Sequence, residues 1–283
     1  MPRQRPFSQV DVFGSEPLGG NPVAVVIDGN GLSTDEMQRF ARWTNLSETT
    51  FLVEPDDPGA DYRVRIFTPG TELPFAGHPT LGTCHAWLEA GNAPRDPDRI
   101  VQQCGAGLVP IRRAGGLLGF AAPPLLRSGP VTEDLTADLA RQLGIGRDAI
   151  VDAQWADNGP GWVAVLLGSA EAVLAITPGQ VTQDLGVAGP YPDGSECAFE
   201  VRAFFLAGGQ VLEDPVTGSL NASLAQWLLS SGRATAPYVA SQGTVLGRRG
   251  RVHIGTGDDA PSAGGTVWVS GATTTTISGT VSL

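Results

Sequence analysis

The sequence predicts an α+β protein of two pseudo-symmetric domains, each a curled, barrel-like sheet of mixed or antiparallel strands around one central helix. Three observations predict it. The stretch Pro74-Phe75-Ala76-Gly77-His78-Pro79 through Gly91 reads as a loop, a helix and a stop, and the helix is apolar on nearly every side. The same pattern returns later, with Gly218 standing 141 residues after Gly77 and Gly232 standing 141 after Gly91. Around both, 38 Gly and 22 Pro in 283 residues punctuate many short apolar segments, a composition of strands and turns rather than long helices.

The first helix sets the argument. Pro79 suits the first helical position, where its missing N–H would have no intrahelical partner. Gly91 supplies the left-handed residue that closes a helix. Leu81, Cys84, Trp87 and Leu88 recur at helical spacing and Ala86 sits opposite, so little polar face remains, as in a buried helix. Its N-terminus is a natural seat for a carboxylate.

In chain order, residues 7–13 alternate as a first strand, with Val10, Val12 and Phe13 apolar. A glycine-rich turn over 14–22 precedes a second strand at 23–27. Ser33-Thr34-Asp35-Glu36 opens a helix with a hydroxyl cap and an acidic first turn. Met37, Phe40, Ala41 and Trp43 give it apolar positions, and it ends near Asn45. The polar segment Ser47-Glu48-Thr49-Thr50 leads into a strand at 51–53, and residues 62–67 alternate strictly as another. After the buried helix, 100–101, 108–111 and 117–121 read as strands. Pro123-Pro124 starts a linker to about residue 132, and residues 134–143 form a helix.

The architecture then starts again. Residues 163–167 follow Asn158-Gly159-Pro160-Gly161 as 23–27 follow the first glycine turn, and 200–205 match 62–67. Asp214-Pro215-Val216-Thr217-Gly218-Ser219 leads into the second apolar helix, with Leu220, Leu224, Trp227, Leu228 and Leu229. So long a period marks duplicated domains rather than a solenoid. Each half has too many strands for one side of one helix, so a curled sheet must wrap it. Domains spanning 1–122 and 130–274 are expected, facing each other so that both helix starts meet at a cleft.

Composition excludes several classes. A net charge of −11 opposes nucleic-acid partners, whose phosphates are neutralised by Lys and Arg. There is no lysine, and Arg248, Arg249 and Arg251 read as a solvated turn. No apolar run is long enough to span a bilayer, and Met1 to Arg5 precede no secretion-signal core. Cys84, Cys104 and Cys197, odd in number and scattered, fit a reducing compartment. A soluble cytoplasmic protein is expected.

The polar residues beside the two helix starts are His78, Asp214, Thr217 and Ser219. Each has an ordinary explanation: His78 or Asp214 as a helix cap, Glu48 as a surface acid. His78 and His85 lie about 10 Å apart along a helix, which opposes a shared metal, and His253 reads as a half-exposed strand residue. Gly105-Ala106-Gly107 lacks the third glycine and the helix of a dinucleotide site.

Together the motifs Val10-Asp11-Val12-Phe13, Gly20-Asn21-Pro22, Leu46-Ser47-Glu48-Thr49-Thr50-Phe51, Pro74 to Pro79 and Glu213 to Ser219 resemble the phenazine-biosynthesis isomerase-like family of the diaminopimelate epimerase fold superfamily. Gln242-Gly243 with Gly247-Arg248 resembles its late motif. The resemblance implies a homodimer without metal or organic cofactor, and a last strand, about 275–283, that returns to the first domain. It implies that Glu48 is the general acid/base moving a proton between carbons of a small, anionic, cyclic unsaturated acid, in phenazine-like or proline-derived secondary metabolism. His78 and Asp214 complete the catalytic set; Asn21, Gly77, Thr217, Gly218 and Ser219 bind substrate.

The chemistry is consistent with this. One desolvated carboxylate can take a proton from carbon and return one elsewhere on the same face, because burial strengthens its hold on the proton. A racemase or epimerase of the same fold is the alternative enzyme, but it needs a thiol at each helix start, and neither motif contains one. A non-catalytic pathway or binding protein is the other alternative, and the intact Glu48, His78, Asp214 and Ser219 set opposes it.

Overall fold

Strand β1 (Gln4–Val12) pairs antiparallel with β2 (Asn21–Val26), which runs parallel to β3 (Glu48–Val53) after the crossover helix α1 (Thr34–Thr44). β3 pairs antiparallel with β4 (Tyr62–Phe67), beside the short β5 (Glu72–Leu73). Helix α2 (Gly77–Glu89) then crosses to β6 (Arg99–Cys104), parallel to β4, and the antiparallel β7 (Gly107–Ala114) and β8 (Leu117–Ala121) follow. This computed structural model describes residues 3–14, 16–97, 99–257 and 265–283. Met1 and Pro2 of the N-terminal stretch lie outside the described residues.

The chain divides into two units, Met1–Ala121 with Ser270–Leu283, and Ala122–Val269. The second unit repeats the first unit's logic. It contains β9 (Arg127–Pro130), α3 (Glu133–Leu143), β10 (Ile150–Asp157), β11 (Val163–Leu167), α4 (Ala170–Leu174), β12 (Leu185–Pro190), β13 (Phe199–Ala207), β14 (Gln210–Glu213), α5 (Gly218–Ser230), β15 (Tyr238–Gln242) and β16 (Gly250–Gly257). β17 (Thr266–Gly271) and β18 (Thr273–Ser282) follow. As β2 runs parallel to β3 and β4 to β6, so β11 runs parallel to β12 and β13 to β15. β18 returns to the first unit and pairs with β1 along its length, from Gln4↔Ser282 to Val12↔Thr273.

The two central helices are each 13 residues long and begin at Gly77 and Gly218. Residues 77–84 of α2 are all buried, as are Ala86 and Trp87. Such a helix is held by packing on every side rather than by an amphipathic stripe. Close approach requires glycine: a Cβ on Gly82 of α2 would stand 2.3 Å from Val23 Cγ1, and one on Gly186 of β12 would stand 2.2 Å from Leu220 Cδ1 of α5. On the outer face of the first sheet, α1 lays Met37, Phe40 and Ala41 on Val26, Phe51 and Phe67. In the second unit α3 and α4 contribute Leu139, Leu143 and Val173 to a core with Val187 and Phe204.

Several local expectations change. α1 begins with a Ser33–Glu36 capping box and ends on Asn45 in the left-handed region, but Trp43 is 79% exposed because it points off the packed face and stacks on Phe40. Pro79 is the third helical residue, not the first, since α2 starts at Gly77; it still lies in the turn whose N–H groups have no intrahelical acceptor. The segment read as a linker contains β9, antiparallel to β10. The polar run over 48–50 is not a surface connection. Parallel pairing with β2 makes it the start of β3, with Thr49 and Thr50 fully buried. Thr50 Oγ1 donates to the Ala24 carbonyl at 3.3 Å and accepts from Thr83 Oγ1 of α2 at 2.8 Å, as buried hydroxyls require.

Candidate active site

Glu48 is the first residue of β3, opposite Val23 of β2. Its side chain is only 16% exposed, and Oε2 lies 3.3 Å from Nε2 of His78, which is 6% exposed. The ordinary reading of Glu48 as a surface acid therefore fails. His78 is the second residue of α2; it does not cap the helix, since Ala76 holds the cap position and no side-chain cap bond forms. Burial pushes the His78 pKa down to about 3, against the weaker opposing pull of a hydrogen bond to the Pro22 backbone. Proline has only a carbonyl to offer, so the bonded ring nitrogen carries the hydrogen. The neutral ring then turns a lone pair, at Nε2, toward Glu48. The contact is not an ion pair. It becomes a hydrogen bond when the carboxyl carries the proton.

The Gly20-Asn21-Pro22 loop that supplies this carbonyl is held from β1. Asp11, 2% exposed, accepts the Gly20 N–H at 2.8 Å. Asn21 begins β2 opposite Val12 and is fully buried, and Gly77 begins α2 just before His78. The structure thus assembles Glu48, His78, Gly77 and the Asn21-Pro22 loop in the first unit.

In the second unit Thr217 is the N-cap residue of α5 and makes no side-chain cap bond to the helix. Its hydroxyl instead donates to Asp214 Oδ2 at 2.6 Å, so Asp214 is not a simple helix cap either. Gln242, fully buried at the end of β15, ties this turn together. Its Nε2 donates to the Asp214 carbonyl at 3.1 Å and to Thr217 Oγ1 at 3.0 Å. Its Oε1 accepts from the Thr217 N–H at 3.0 Å and from Asn221 Nδ2 at 2.8 Å. Gly218 then starts the helix, and Ser219 occupies the position that His78 has in α2. Ser219 bonds to a different loop: its Oγ accepts from Trp162 Nε1 at 3.0 Å and its carbonyl from Asn158 Nδ2 at 2.9 Å.

Sequence reasoning missed the work of Gln242, Asp11 and Asn158, noting them only as parts of a late motif, an early motif and a glycine turn, and missed Trp162 altogether. The duplication held a signal for the last of these. Trp162 precedes Val163, paired with Leu185, as Pro22 precedes Val23, paired with Glu48.

The cysteines do not form a thiol pair. All three are buried; burial pushes Cys84, inside α2, up to about 12 and raises Cys104 and Cys197 as well. Such thiols are small core residues, not proton carriers.

Residues 10–279 match the phenazine biosynthesis-like protein family, PhzC-PhzF. The chain belongs to this family. It is 38% identical over 259 residues to the trans-2,3-dihydro-3-hydroxyanthranilate isomerase of Pseudomonas aeruginosa, covering 86% of this chain and 87% of that protein. It is 35% identical over 291 residues to antisense-enhancing sequence 1 of Schizosaccharomyces pombe, covering 96% and 97%. Among solved structures, a phenazine biosynthesis protein of Bacillus anthracis superposes with a TM-score of 0.84 over 99% of both chains at 22% identity, which shows the shared fold. The chain is an isomerase of this family, with its mixed α+β architecture of curled sheet and few helices.

Proposed function

We propose that the chain is a cofactor-independent isomerase that moves a proton, and with it a double bond, within a small cyclic unsaturated amino or hydroxy acid. Glu48 is the general acid/base. The single observation that carries this reading is the Glu48–His78 contact, 3.3 Å long and largely shielded from water. The carboxylate takes a proton from a saturated ring carbon, and the C–H electrons enter the conjugated system as a new C=C bond. While Glu48 holds the proton, the His78 Nε2 lone pair accepts a hydrogen bond from it. Return of the proton to the far end of the conjugated system breaks the old double bond and restores the carboxylate. No oxidant or group donor enters the balance.

Asp214 and Ser219, with Asn21, Gly77, Thr217 and Gly218, are assigned to holding the substrate's amino, hydroxyl and carboxylate groups. The neighbouring isomerases act, by name, on trans-2,3-dihydro-3-hydroxyanthranilate, and a ring of that chemistry is the first substrate to test. With it, Glu48→Gln should lower turnover by about a thousandfold or more, within the range of general acid–base contributions, with thermal unfolding nearly unchanged. Product formed in D₂O should carry label at the reprotonated carbon if Glu48 exchanges with solvent between the two steps. A Glu48→Gln variant of full activity would end this reading.

A further inference from the structure

The residue after each helix-start glycine receives its hydrogen-bonding character from an equivalent place in the fold, the turn that leads into β2 in the first unit and into β11 in the second, the strands that run parallel to β3 and β12. In the first unit that loop is anchored by Asp11 on the Gly20 N–H. In the second it is anchored by Asp157, whose Oδ1 accepts the N–H groups of Gly159 and Gly161 at 2.7 Å each. The first loop presents a carbonyl, at Pro22, and so leaves His78 with a lone pair at Nε2. The second presents a donor: the indole N–H of Trp162, a residue only 4% exposed, donates to Ser219 Oγ at 3.0 Å. An indole N–H only donates. It fills an acceptor site of the serine and turns the hydroxyl hydrogen away from the indole. That hydrogen has no acceptor among the described residues, and Ser219 itself is half-buried rather than enclosed.

We infer that Trp162 is a positioning residue that fixes Ser219 as a hydrogen-bond donor, so that the substrate group seated there is an acceptor, a carboxylate or carbonyl oxygen. This rests on the reading above that Ser219 holds substrate. Asn158, from the same loop, anchors the Ser219 carbonyl, so that both ends of the residue are set by one turn. Without the indole N–H the hydroxyl rotates freely, and ligand binding must bear the cost of orienting it.

The experiment is a double-mutant cycle on binding of 3-hydroxyanthranilate, a stable aromatic analogue of the substrate named for the relatives, read by calorimetry. Trp162→Phe keeps the ring and removes the N–H; Ser219→Ala removes the group it orients. Each alone should weaken binding by about tenfold, the size of a lost hydrogen bond to a charged group. Adding Trp162→Phe to Ser219→Ala should weaken it no further, because the tryptophan acts only through the serine. With turnover of the dihydro substrate, Trp162→Phe should raise KM about as much and leave kcat within about twofold. Unchanged binding in Trp162→Phe, or losses that simply add, would overturn the inference while leaving the proposed reaction intact. Wild-type protein that neither binds nor turns over these molecules would overturn the reading of the site, and this inference with it.

Discussion

Nε2 of His78 lies 3.3 Å from Oε2 of Glu48, and the Pro22 backbone on the other side of the ring decides what that contact means. A charged imidazolium there would hold the carboxylate as an ion pair and weaken it as a base. A neutral imidazole with its hydrogen committed to Pro22 does the opposite, since it stabilises the carboxyl only once that group has taken a proton. The fold reaches this state by burying the ring at the start of an apolar helix, where the charged form is disfavoured.

The first prediction follows from that burial. The His78 pKa of about 3 lies below its ordinary 6.5, so between these values the unfolded chain binds a proton that the folded chain refuses. Stability contributed by this residue is present above about pH 6.5 and is lost as pH falls toward 3, at about 1.4 kcal/mol per pH unit. Urea unfolding from pH 4 to 6 should therefore show a shallower pH slope in His78→Gln than in wild type, by about one proton. Parallel slopes would mean that the folded protein protonates His78 readily.

The second concerns Gln242. Gln242→Leu leaves the Thr217 N–H and the Asp214 carbonyl without the partners they have now. It should cost about 2–4 kcal/mol in unfolding free energy, the penalty of orphaned buried polar groups. Gln242→Glu is the sharper test of function. It keeps the acceptor for Thr217 and Asn221 but loses donation to Asp214 and Thr217 and adds a second carboxylate beside Asp214. Turnover should fall by at least tenfold even where the variant remains folded, and a folded variant with normal kinetics would detach this turn from the reaction.

The two helices and their repeat were legible because apolar periodicity and glycine punctuation are local signals. Glu48 was not legible from its neighbours: Ser47, Thr49 and Thr50 look like a solvated connection, and only parallel pairing with β2 and the Thr83–Thr50 hydroxyl bond turn that segment inward. In the sequence, the role proposed for it rests on the family resemblance alone. Trp43 failed in the other direction, as an apolar residue at helical spacing that the packed face of α1 does not include. Gln242 and Asp11 act through bonds to residues 25 and 9 positions away, pairings that no local pattern encodes, while Trp162, 57 positions from Ser219, is signalled only by its place in the repeat.

A third prediction tests the duplication as packing. Gly82→Ala drives a methyl group toward Val23 Cγ1, and Gly186→Ala drives one toward Leu220 Cδ1, each at little over 2 Å. Both sites join a central helix to its own sheet, so both substitutions should destabilise by about 1–3 kcal/mol, as overpacking does. The alanine's gain in helix propensity at position 82, under about 1 kcal/mol, does not offset this. Thermal unfolding of the two variants measures it, and an unchanged midpoint in either would mean that the helix is not seated against the sheet as closely as the geometry has it.

The last prediction follows the chain of contacts that ends at Glu48. Asp11 accepts the Gly20 N–H; two residues later Pro22 takes the His78 hydrogen; His78 faces Glu48. Asp11 thus holds the backbone that fixes the histidine tautomer. Asp11→Ala should lose about 1–2 kcal/mol of stability from the buried N–H left behind, and should lower kcat as the loop, and with it the Pro22 carbonyl, loses its register. Asp11→Asn separates the two effects, because the amide oxygen still accepts from Gly20 in nearly the same geometry. The asparagine variant should recover most of the turnover that the alanine variant loses. Equal kcat values in the two variants, with only the unfolding midpoints differing, would show that the loop's register does not reach the histidine.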